Sequence, residues 1–96
     1  MGAEVFITRA VGTISSQAFN NAQVEACYEA GNNGYTGTIA EKSEFTMIDC
    51  PEGIDPEVYA WLLIDNEDPR VDDKWGPAGC IDCKNGYFVF FGWASC

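Results

Sequence analysis

The chain has no histidine among its 96 residues and only five lysines and arginines. Without histidine the usual neutral-pH proton carrier is missing, and no GxSxG elbow, P-loop or strand-following GxGxxG is present. Carboxylates are plentiful, but their spacing singles out no pair for glycoside or phosphodiester chemistry. The expectation is a protein that is not an enzyme and needs no cofactor. No apolar run approaches the roughly 20 residues of a membrane span, and no basic segment leading into an apolar one opens the chain. A cytoplasmic protein away from membranes is expected.

Cysteine is present in an odd number, five, without a secretory leader, which favours reduced thiols over a disulfide framework. Cys80-Ile-Asp-Cys83 has the spacing of a zinc half-site, but no second CxxC follows. Thioredoxin-type chemistry is also disfavoured, because the pair lies in a strand-like segment rather than at a helix start.

What the chain does have is acid. Fifteen carboxylates give a formal charge of −10, which repels nucleic acid as a polymer. Between Asp49 and Asp73 lie Asp49, Glu52, Asp55, Glu57, Asp65, Glu67, Asp68, Asp72 and Asp73, with Arg70 as the single base. Such a stretch reads either as a solvated face that keeps a small protein dispersed or as a DNA-mimicking surface that fills a protein's basic groove.

Apolar residues make up 47 % of the chain and aromatics 14 %, enough for one core over residues 1–96, read as a single α+β domain. Glu4 to Val11 alternates as a strand does, with Val5, Ile7 and Arg9 on one side and Phe6, Thr8 and Ala10 on the other. Ser15 or Ser16 is a candidate N-cap for a helix whose Ala18, Ala22, Ala26 and Ala30, beside Phe19 and Cys27, form a small-residue face closed by Gly31. TIAEK and EFTMI read as short strands. Asp55, Pro56 and Glu57 announce a second helix, in which Trp61 and Leu62 are expected in the core. AGCIDC and YFVFFGWA form two β runs joined across Asn85-Gly86, and the second, apolar on both sides, reads as a central strand. The sum is an antiparallel sheet of about four or five strands, one main helix on a face and a shorter second helix packed beside it.

Three stretches are candidate sites. In Gly34 to Lys42 the glycines free backbone N–H groups, Thr36 and Thr38 add hydroxyls, Lys42 adds a cation and Tyr35 a stacking face, with Gly37 between the threonines. An ordinary glycine-rich connection accounts for the same residues. Trp75, between Lys74 and Gly76-Pro77, is either a stacking wall or a lid folded onto the sheet. Gly92 would let a backbone or ligand approach closely beside Trp93, and Arg9 adds scarce positive charge.

GYTGTIAEKSEF, KWGPAGCI and YFVFFGWAS together resemble a family of small proteins from tailed bacteriophages, over most of the chain from Gln17 to Ser95 and least from Cys50 to Asp73. The resemblance extends to the viral sponges that sequester cyclic nucleotide signals of bacterial immunity, as in evasion of CBASS. It implies a homo-oligomer in the host cell cytoplasm that binds a cyclic dinucleotide between protomers without cleaving it. On residue chemistry the ligand contacts would be Tyr35 and Trp75 for bases, and Thr36, Gly37, Thr38, Lys42 and Arg9 for phosphates, with Trp93 nearby. The alternative is an acidic DNA mimic, comparable to an anti-CRISPR inhibitor, that docks on a host nucleic-acid-binding protein.

Overall fold

The computed structural model describes residues 2–30 and 38–95. Chain order is β1 (Ala3–Val11), α1 (Ser15–Ala30), a 3₁₀ turn (Ile39–Glu41), β2 (Phe45–Met47), α2 (Pro56–Asp65), β3 (Ala78–Asp82) and β4 (Tyr87–Ser95). The strands form one sheet in the order β1-β4-β3-β2, an α+β fold with β4 inside.

Alternation in β4 decides where the core lies. Phe88 and Phe90 point to one face and Val89 and Phe91 to the other, all buried, and each such side chain contributes about 1.5–3 kcal/mol. On the first face α1 lays down Ala18, Phe19 and Ala22, and the two alanines let the helix sit close to the sheet. Phe19, Phe45 and Phe90 meet there with ring centroids 4.9–5.6 Å apart. The shorter helix takes the other face instead of a place next to α1, packing Ala60, Leu63 and Ile64 on Ile81, Val89 and Phe91.

Pairing is antiparallel between β1 and β4 and between β3 and β4, but parallel between β2 and β3. The chain leaves β2, runs through α2 and returns in the same direction, as parallel neighbours require. The β3–β4 hairpin closes over Lys84, Asn85 and Gly86, with Lys84 and Gly86 at positive φ. Gly92 does not interrupt β4; at φ 144° it passes the carbonyl of Val71 and the ring of Phe6, so its close approach is to the protein's own core.

Local signals that compete with the sequence patterns explain the remaining differences. α1 starts at Ser15 itself: the carbonyl of Ile14 accepts from Ala18, and the Gln17 side chain accepts from the Thr13 N–H and hydroxyl. Cys27 is exposed. TIAEK is not a strand; Thr38 caps the turn by accepting from the Ala40 N–H at 3.2 Å. In a 3₁₀ turn side chains three apart eclipse, so Ile39 and Lys42 both face inward. Trp61 and Leu62 are 50 % and 45 % exposed, because α2 buries only one side.

Candidate functional site

Lys42, expected to hold phosphate, is 3 % exposed, and its ammonium donates to the carbonyls of Asp73 (3.2 Å), Lys74 (3.1 Å) and Gly76 (2.9 Å). An ammonium has three N–H groups, and all three are spent here. Burial pushes its pKa down from 10.5, with the Asp73 carboxylate acting the other way. The residue therefore braces the 73–76 loop from beneath, with its ammonium engaged by that loop. Its own carbonyl and that of Ile39 accept from Gln23 of α1, which ties the helix to the same brace.

The loop so held displays Trp75, 59 % exposed, with the Lys74 ammonium 5.2 Å from the ring centroid. Sequence reasoning thus named two residues, Lys42 and Trp75, that the fold does bring together, as a support and the group it presents. Arg9 points to the α2 face, 2.7 Å from Glu57 and stacked over Tyr87 at 4.7 Å; the Glu57 hydrogen bond raises its pKa further. Trp93 is half-buried against the α2-side core, with its indole N–H buried. Tyr35, Thr36 and Gly37, with the Gly31 cap, lie outside the described residues.

Thr38 lines a groove of about 340 Å³ between β1 and α1, together with Thr8, Ala22, Glu25, Ala26 and Glu29. Arg9 contributes to its wall, but the Arg9 guanidinium is engaged with Glu57. The charged groups this leaves in the groove are Glu25 and Glu29, which repel an incoming phosphate. Elsewhere Arg70 pairs with Asp68 at 2.8 Å, and Lys74 donates to the Gly2 carbonyl at 3.3 Å.

The CxxC pair is divided by the sheet. Residues three apart in sequence along extended chain point to opposite faces, and Cys80 sits in the α1-side core while Cys83 packs against the α2-side core. Burial pushes the Cys80 thiol up to about 12 and raises Cys83 as well, with Arg9 opposing the second shift. Neither zinc ligation by the pair nor dithiol chemistry fits this arrangement. Among the described residues no cluster of three or more metal-ligating side chains occurs, and no helix is long and apolar enough to cross a membrane.

The acidic stretch lies largely at the surface. Asp49, Glu52, Asp55, Asp65, Glu67, Asp72 and Asp73 are exposed, while Glu57 and Asp68, the less exposed pair, are those in ion pairs. Asp55 caps α2 by accepting from the N–H groups of Glu57 and Val58. At the other end the N–H of Asp68 reaches the Leu63 carbonyl and that of Glu67 the Ile64 carbonyl, a Schellman closure. Glu67 takes the left-handed position of that closure at φ 53°, where glycine is usual. A carboxylate thus stands where a residue without a side chain would suit the backbone better.

No known protein family matches the chain, and neither does any curated protein or solved structure.

Proposed function

We propose that this protein is a non-catalytic inhibitor that acts by docking its acidic α2 side on a basic, nucleic-acid-binding surface of a host protein. The observation that carries the reading is the segregation of charge. Seven exposed carboxylates fall within residues 49–73, and Arg70, the one cation in that segment, is held by Asp68. Carboxylates at the two ends of a doubly capped helix and in the loops that flank it present an array of negative charge to lysines and arginines, as a phosphate backbone does. Glu67, kept at a backbone position that costs it stability, supports a role for that carboxylate beyond folding.

The test is immobilised protein challenged with host lysate, with bound proteins eluted by salt and competed by duplex DNA. Nucleic-acid-binding proteins should be retained by the wild type and lost from the Asp65→Asn, Glu67→Gln, Asp72→Asn variant. Equal retention by that variant would refute the reading.

A second reading, sequestration of a cyclic dinucleotide by a homo-oligomer of phage origin, rests on the motif resemblance and on one structural observation. Trp75 offers an exposed indole on a braced loop with a cation beside it, a surface suited to stacking a base. In this reading neighbouring copies complete the pocket, and β1, an edge strand of the sheet, is available for pairing between them. A panel of cyclic dinucleotides and trinucleotides in thermal unfolding tests it: a ligand at 100-fold excess over its Kd adds about 2.7 kcal/mol, and a flat panel removes the reading.

A further inference from the structure

We infer that the outward strip of α2, formed by Val58, Trp61 and Leu62 with Ile54 just before the helix, is the anchor of an interface with a protein partner that offers an apolar groove rimmed by lysine and arginine. The inference rests on the acidic-docking reading and specifies what holds the two proteins together once charge has brought them into contact.

The middle of α2 is apolar all round. From Val58 to Ile64 no polar residue interrupts the run apart from the hydroxyl of Tyr59, and a helix of that composition is ordinarily covered on every side. Here Ala60, Leu63 and Ile64 face the sheet, while Val58 is 53 % exposed and Trp61 and Leu62 are about as open. Folding needs only the inner side. Positions 58, 61 and 62 share one helical face at the spacing by which an amphipathic helix enters a groove, and tryptophan is enriched among side chains that carry binding energy.

The rim identifies the occupant. Asp55 stands at the start of the strip, beside the Arg9-paired Glu57, and Asp65, one turn beyond Trp61 and Leu62, continues the same face, with Glu67 just past the helix end. A second copy of this chain would set like-charged rims against each other in a protein of net charge −10. A basic rim around an apolar groove meets both parts of the surface. The other exposed apolar side chains of a helix, Val24 and Tyr28, belong to α1 and provide a matched control.

Two lysine-rich helical peptides of equal length and charge serve as probes, one with a leucine face and one with glutamines in place of the leucines. Their affinities for the full chain are measured at low salt by fluorescence anisotropy. The leucine-faced peptide should bind about tenfold more tightly or better. That preference should disappear in Val58→Ser, Leu62→Ser and persist in Val24→Ser, Tyr28→Ser; circular dichroism checks that each variant is folded, and Trp61→Ser alone should lose most of it. Equal affinity for both peptides, or a preference that survives the α2 changes, would overturn the apolar anchor and leave the electrostatic reading standing. Failure of both peptides to bind would overturn the anchor and the electrostatic reading together. Concentration-dependent dimerisation abolished by Val58→Ser, Leu62→Ser would assign the strip to a second copy and overturn the choice of partner.

Discussion

Replacing Lys42 by methionine keeps the aliphatic stem and removes the three N–H···O=C bonds that hold the 73–76 loop. A hydrogen bond to a charged group contributes about 1.5–3 kcal/mol, so three would sum to about 4.5–9 kcal/mol if nothing opposed them. Two effects reduce that figure: the variant no longer buries an ammonium, which costs several kcal/mol in itself, and the released carbonyls of a surface loop regain water. The expected net loss is about 2–4 kcal/mol, which lowers Tm by about 10–25 °C in a chain of this size. Thermal unfolding by circular dichroism reads it, with Lys84→Met as an exposed control within about 0.5 kcal/mol of wild type. Burial lowers the Lys42 pKa, so the folded state sheds this proton at a lower pH than the unfolded chain. Wild type should therefore gain stability relative to Lys42→Met as pH rises toward 10.5. A lysine kept for phosphate would behave in the opposite way, with ligand binding lost and Tm unchanged; a Tm within about 2 °C of wild type would refute the brace.

Arg70 holds the Asp68 carboxyl at about 2, below its ordinary 3.8, through side-chain and backbone hydrogen bonds. The stability from that pair is complete above pH 3.8 and fades as pH falls through 2, so Asp68→Asn should destabilise modestly at neutral pH, by up to about 1 kcal/mol for so exposed a pair, and match wild type in strong acid. Glu67→Gly should stabilise by about 0.5–1 kcal/mol in urea unfolding, because glycine adopts the left-handed closure without steric cost; a loss of stability would show that the Glu67 side chain supports the fold. Gly79→Ala should cost about 1–3 kcal/mol, since a Cβ there would lie 2.5 Å from the Phe91 ring and 2.8 Å from Val71. In native protein treated with iodoacetamide, mass spectrometry should find Cys27 alkylated and Cys80 untouched until the chain unfolds; diamide should leave Cys80 and Cys83 unlinked.

Legibility in the sequence followed how local the deciding physics was. The central strand β4 shows itself because both its faces are apolar, and α2 because Asp55 and Pro56 act within a single turn. TIAEK misleads because a threonine cap outweighs weak alternation over so few residues. Lys42 reads as a loop cation because nothing next to it in sequence reveals that its acceptors lie more than 30 positions away. Trp61 and Leu62 read as core because composition counts apolar residues without saying which side of a helix meets the sheet. The CxxC reads as a possible site until strand geometry sends its thiols to opposite faces. The acidic segment was visible as composition, while the apolar strip inside it required the helix to be placed.

The most direct test of the account is where on the surface the negative charge acts. Binding of a lysine-rich peptide should be compared across wild type, Asp65→Asn, Glu67→Gln, Asp72→Asn, and Glu4→Gln, Glu25→Gln, Glu29→Gln, which changes net charge equally on the α1 and β1 side. Loss of affinity with the first set, near-wild-type affinity with the second and weakening by salt are the predicted results. Equal losses from both sets would contradict the account, since binding would then follow total charge and not the α2 face.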